Sequence, residues 1–140
     1  MKYFLNHRPI DIREFPEYRI DLIMDSGIMP NDIFTNPRAI LGDKDTESKD
    51  ILSILKDVQR IPDATVTIYR GAPSSGVLNT GDWVTLSKMY AEKYAAGGDY
   101  CDRPDAKVYR YTVKAKDLSF DGDSIYEFGY WGPQILGIAI

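Results

Sequence analysis

The sequence predicts an α+β fold, with helices first and strands after. Three observations carry this. Apolar residues recur at helical spacing before Pro62, best in residues 48–60. After Pro62, β-branched and aromatic residues alternate with polar ones, beginning in residues 64–70. The chain has 140 residues, 44% of them apolar, which suits one core and one domain. Residues 1–62 therefore read as a helical N-terminal part of a single domain, 1–140, and 63–140 as its strand-rich part. No internal repeat or low-complexity tract interrupts it.

Taken in order, residues 17–26 hold Tyr18, Ile20, Leu22, Ile23 and Met24, and stop before Gly27 and Pro30. That predicts a short helix. Residues 29–46, with Pro30, Pro37 and Gly42, read as loop. In 48–60, Ile51, Ile54, Leu55 and Val58 fall at i, i+3, i+4 and i+7, one apolar face of a helix. Ser48 is its expected N-cap and Pro62 its stop. Residues 64–70 alternate and predict a strand. A short strand at 82–87 follows the Asn79-Thr80-Gly81 turn, and a helix at 88–96 closes on Gly97-Gly98. Residues 106–115 predict a long strand, with Tyr109, Tyr111, Val113 and Ala115 on its buried face. Two more strands are expected at 124–130 and 134–140. The last is almost wholly apolar and is expected to be central.

Composition excludes several functions. Seventeen basic and 21 acidic side chains give a net charge of −4, against general nucleic-acid binding. A local basic pocket for a small phosphate-bearing ligand remains compatible. Cys101 is the only cysteine, so no internal disulfide forms and a reducing, cytoplasmic setting is expected. His7 is the only histidine, which leaves too few ligands for a usual metal site and no good Ser/His/Asp triad. Met1-Lys2-Tyr3-Phe4-Leu5 runs at once into polar residues, so no signal peptide is read, and no apolar run reaches membrane-spanning length. Ten tyrosines could pack at the core edge or stack on a planar ligand.

Three polar residues stand in unusual places. Arg70 ends an apolar strand, on the face of Val66 and Ile68 by alternation. A core-facing arginine must meet an anion, because a buried unpaired charge is costly. Either alternation fails there and Arg70 meets water, or its guanidinium is held to grip a phosphate or carboxylate. Gly71 follows and leaves the backbone bare for a ligand to approach. Ser87 sits where strand gives way to helix. It is an ordinary N-cap there, or a hydroxyl offered to a ligand beside backbone donors. Glu127 alternates with Ile125 and Gly129, with aromatics opposite. It is a solvent-facing carboxylate on an edge strand or a working group in a cleft.

Tyr69-Arg70-Gly71, then Gly81-Asp82-Trp83-Val84-Thr85-Leu86-Ser87 running into a helix, then a late strand with Glu127, together resemble the Arg-Ser-Glu class of ADP-ribosyltransferases. The likeness covers residues 64–140 and suits a small stand-alone bacterial or phage type. A domain of this size would fit an effector, toxin or phage-encoded modifier. The resemblance implies a split β-sandwich, NAD as co-substrate and no metal. It implies cleavage of the nicotinamide–ribose bond and transfer of ADP-ribose to a macromolecule, by expectation a protein. Arg70 would hold the NAD phosphates and adjoining ribose. Gly71 would offer backbone N–H and C=O to the nicotinamide carboxamide. Ser87 would bond the Glu127 carboxylate and orient the nicotinamide ribose. Tyr90 or Tyr94 would stack on the nicotinamide ring, Tyr94 because i+7 returns to the face of Ser87. Both tyrosines equally suit core packing. Glu127 would stabilise the positive charge developing on the ribose and hold its 2′-hydroxyl.

The sequence departs from the family at named positions. Many arginine-modifying members carry Glu or Gln two residues before the catalytic Glu, where this chain has Ile125. The usual Ser-Thr-Ser is Thr85-Leu86-Ser87 here. Asp121 and Asp123 precede Glu127, either to attract a basic target or as a solvated turn. NAD hydrolysis and a catalytically silent binding or inhibitor module are the competing readings.

Overall fold

The alternation of Val66 and Ile68 against Thr65 and Thr67 builds one of two eight-residue strands, the longest among the described residues, and the two pair with each other. The computed structural model describes residues 8–29, 46–72, 75–95, 107–120 and 124–140. Helix α1 spans Thr46–Asp57. Strands β1 (Thr65–Ala72), β2 (Val77–Leu78) and β3 (Trp83–Val84) follow. Then come helix α2 (Lys88–Ala95) and strands β4 (Lys107–Lys114), β5 (Leu118–Ser119), β6 (Phe128–Tyr130), β7 (Ile135–Leu136) and β8 (Ile138–Ala139). The class is α+β, with antiparallel sheets.

Among the described residues there are sheets in the order β1-β4-β8, β3-β6-β5 and β2-β7. β1 and β4 pair along their full length, from Thr65 opposite Lys114 to Ala72 opposite Lys107. The first two sheets meet at one bridge. Tyr69 N–H donates to the Thr85 carbonyl at 2.8 Å, and Thr85 N–H donates back to Tyr69 at 3.0 Å. The main core takes Val66, Ile68, Tyr111 and Val113 from one face of β1 and β4. It takes Val84, Phe128 and Tyr130 from the second sheet, Ile51 and Leu55 from α1, and Val58 from the turn that follows it. The opposite face of β1 and β4 packs on α2, where Ala91 and Ala95 meet Val108, with Tyr69 against them.

The apolar face read for 48–60 is real: Ile51, Leu55 and Val58 are buried. Its ends differ from expectation. Ser48 lies inside α1 as a fully buried residue, with its hydroxyl on Tyr126 Oη at 2.7 Å, so it does not cap the helix. The helix stops at Asp57, and Arg60 turns the chain with a positive φ of 65°.

Residues 17–26 do not form the expected α-helix. A short 3-10 turn, Pro16–Tyr18, leads into successive turns. Arg19 forms a bridge with Ser119, and the neighbouring Ile20 N–H donates to the Leu118 carbonyl at 3.0 Å. Phe120 N–H donates to the Tyr18 carbonyl at 2.9 Å. Backbone groups that a helix would use are thus committed to pairing beside β5. The Gln59 amide stitches this segment to α1, donating to the Ile20 carbonyl at 2.6 Å and the Leu55 carbonyl at 2.7 Å.

Three strand expectations shrink. Of 82–87 only Trp83–Val84 is strand, with Thr85 in a single bridge to Tyr69. In 124–130 only Phe128–Tyr130 is strand; Ile125 and Tyr126 form a turn. The stretch 134–140 becomes two short strands rather than one central one. Leu136, on β7 of the two-stranded sheet, is 77% exposed, and Ile138, on β8 at the edge beside the central β4, is 60% exposed. Gly137, between β7 and β8, lies close over the Tyr111 ring: a Cβ there would come within 2.5 Å of it.

Candidate active site

Strand β1 delivers Arg70 and Gly71, and alternation sends them opposite ways. Gly71 faces α2. A Cβ there would lie 2.8 Å from the Ala91 carbonyl oxygen and 3.1 Å from the Ala95 nitrogen. The expectation that Gly71 leaves bare backbone for a ligand is therefore corrected on this side. The space above its Cα is filled by α2, and only glycine allows that approach.

Arg70 turns toward the face of Val66 and Ile68, beside Tyr109 across the strand pair. Its side chain is 31% exposed, and Nη1 donates to Asp82 Oδ2. Asp82 is held in turn, since the same oxygen accepts the Asn79 N–H at 2.8 Å. The anion that a core-facing arginine needs is thus supplied by the chain itself. The Nε–Nη2 edge of Arg70 makes no bond to a described residue, which leaves a two-pronged donor at a partly open position.

Ser87 is 7% exposed and caps α2: its Oγ accepts the Tyr90 N–H at 3.0 Å. Ser87 N–H donates to Thr85 Oγ1 at 3.1 Å. The cap sets Tyr90 on the first turn of α2, and the Tyr90 hydroxyl donates to Glu127 Oε1. The Tyr90 ring stacks on Tyr126, with centroids 5.2 Å apart and planes 12° from parallel.

Glu127 is 5% exposed, between the 125–126 turn and β6. Its Oε2 is buried with no hydrogen-bond partner among the described residues. Burial pushes its carboxyl up to about 7. A carboxylate in an apolar enclosure with one free oxygen is poised to accept a hydrogen bond from a ligand or to face a positive charge.

Ser87, Tyr90 and Glu127 come together in one cluster, with Tyr126 and Ser48 behind them. Arg70 stands in a second cluster with Asp82 and Asn79. The Tyr69–Thr85 bridge is the backbone link between the two. Tyr94 lies on α2, with its side chain outside the described residues, as are Asp121, Asp123, His7 and Cys101. Ile125 is buried in the main core.

Sequence reasoning missed Asp82, Tyr126 and Ser48 as members of these clusters. For Asp82 a signal existed: an acidic residue directly after Asn79-Thr80-Gly81 is placed to take an N–H of its own turn. Ser48 and Tyr126 are 78 residues apart, and nothing local announces their contact.

No group of three or more His, Cys, Asp or Glu able to hold a metal occurs among the described residues. No helix among them is long and apolar enough to cross a membrane. Compared with known family models, curated proteins and solved structures, the chain matches none.

Proposed function

We propose that this chain is a mono-ADP-ribosyltransferase that cleaves NAD at the nicotinamide–ribose bond and passes ADP-ribose to a macromolecule, by our reading a protein. The single observation behind this is Glu127: a buried carboxyl, shifted to about 7, with one oxygen fixed by Tyr90 and the other unpartnered. Breaking the bond from ribose C1′ to the nicotinamide nitrogen leaves the electron pair on nicotinamide and positive charge on the ribose. Glu127 Oε2 is a fixed acceptor for the ribose 2′-hydroxyl and a fixed negative charge for that centre. It needs no reorganisation, because Tyr90 already holds the other oxygen.

Arg70 fits the phosphate role. Asp82 engages Nη1 alone, so the Nε–Nη2 edge can take an oxyanion in two parallel bonds. Two sheets joined at one bridge are compatible with a split β-sandwich. Ile125 speaks to the acceptor. Buried and apolar two residues before Glu127, it cannot grip a guanidinium, so arginine is not the acceptor we propose.

The test uses NAD labelled in its adenylate half, with and without cell lysate. Label on a lysate protein supports transfer. Free ADP-ribose in buffer alone supports hydrolysis, in which water replaces the target. No release of nicotinamide in either case would sink both and leave a silent binding module on this fold.

A further inference from the structure

We propose that Tyr90 is the positioning residue of Glu127, and that α1 holds it in place through Ser48 and Tyr126. This rests on the reading of Glu127 as the working carboxylate. Ser87, the residue expected to brace the carboxylate, caps the helix that carries Tyr90, and the Tyr90 hydroxyl makes the bond to Oε1.

The geometry fixes Tyr90 from three directions. Its backbone is set by the Ser87 cap at one end of α2 and by the close seat of Ala91 on Gly71 one residue later. Its ring is stacked nearly parallel on Tyr126. Tyr126 is itself tethered, its hydroxyl 2.7 Å from the Ser48 Oγ in α1. Ser48 is fully buried, where a hydroxyl is costly unless it is bonded. The chain Ser48–Tyr126–Tyr90–Glu127 therefore runs from the N-terminal helix to the carboxylate.

This arrangement chooses which oxygen works. Tyr90 engages Oε1, so Oε2 is the one presented to a ligand. Without that donor the carboxylate would lose its fixed orientation and its one hydrogen bond, and the neutral acid would gain. Among the described residues, the titratable neighbours on the packed elements are Tyr90 itself and Tyr126, and the positive charge of the amino terminus favours the ionised carboxylate. Lys88, Glu92 and Lys93 of α2 are exposed.

The experiment is Tyr90→Phe in the full chain, with Tyr126→Phe and Ser48→Ala beside it. NAD turnover is followed from about pH 5 to about pH 9, and the Glu127 carboxyl is titrated by carbon NMR. Tyr90→Phe keeps the ring stack. It should lower kcat about tenfold, leave KM within about twofold, and move both the activity midpoint and the carboxyl titration to higher pH. Tyr126→Phe and Ser48→Ala should move the same quantities the same way by about two- to threefold. A Tyr90→Phe protein with wild-type kcat and an unmoved midpoint would overturn the assignment. Should that variant not fold, unmoved midpoints in both of the others overturn it equally. If the wild type releases no nicotinamide, the transferase reading fails, and the carboxyl titration alone decides whether Tyr90 sets Glu127.

Discussion

Arg70 and Glu127 each place a charged group in an apolar strand or beside one, and the fold handles them in opposite ways. Arg70 is given a counter-charge, Asp82, and is left about one-third open to solvent. Glu127 is given one neutral hydroxyl, is closed from solvent, and keeps an oxygen without a partner. A guanidinium paired on one side and about one-third open suits holding a charged ligand. A desolvated carboxyl near 7 has an adjustable charge that a bound ligand can tune, which suits chemistry. Under the proposed function, the Arg70 region would hold the ligand and the Glu127 region would break the bond, with the Tyr69–Thr85 bridge as the backbone link between them.

The largest test of this contrast is thermodynamic. The folded carboxyl of Glu127 titrates at about 7 against an ordinary 4.5. The folded state then binds the proton more tightly than the unfolded state. Stability is full below the ordinary value and falls as pH rises through the folded one. The loss should be about 3 kcal/mol. Glu127→Gln has no such loss. Its stability relative to wild type should therefore rise by about 3 kcal/mol from about pH 4 to about pH 8, measured by denaturant unfolding. A pH-independent difference would mean that Glu127 is not desolvated.

Gly71→Ala strikes one region through its packing. The new methyl meets backbone of α2, not a flexible side chain, so α2 must move off β1. Unfolding should be easier by about 1–3 kcal/mol. Turnover should fall with it, because Tyr90 rides on α2, while ADP-ribose binding through Arg70 should persist. Arg70→Lys strikes the other region. Lysine can keep the pair with Asp82 but not the two-pronged edge. NAD binding should weaken about tenfold by calorimetry, with thermal stability unchanged. Equal loss of binding in both variants would erase the division between the regions.

Much of the fold was legible in the sequence, for reasons that particular residues show. β1 and β4 read correctly because each buries one face in the main core, and Val66, Ile68, Tyr111 and Val113 record it by alternation. α1 read correctly because Ile51, Leu55 and Val58 share one face. Residues 17–26 misled because Ile20 and Ile23 do face the core, but from turns whose backbone bonds go to the distant 118–120 segment. The stretch 134–140 misled because apolar composition does not distinguish a central strand from an edge. Leu136 and Ile138 are exposed there. In the site, Arg70 and Ser87 were visible as polar residues at element ends, and Glu127 as a carboxylate inside an apolar stretch. What joins them was not. Tyr90 and Glu127 are 37 residues apart, and the helix that brings them together is seated by Gly71, a residue read as open space.

Glu127 is where the account is most exposed. Nicotinamide release from NAD should be measured in a single turnover for the wild type and Glu127→Gln across the pH range. The account predicts release by the wild type that rises with pH through a midpoint near 7, as Glu127 ionises. It predicts a loss of about 10²–10³-fold in Glu127→Gln, with NAD binding kept within a few-fold. Equal release by the two proteins, or a wild-type rate flat across that range, would contradict it.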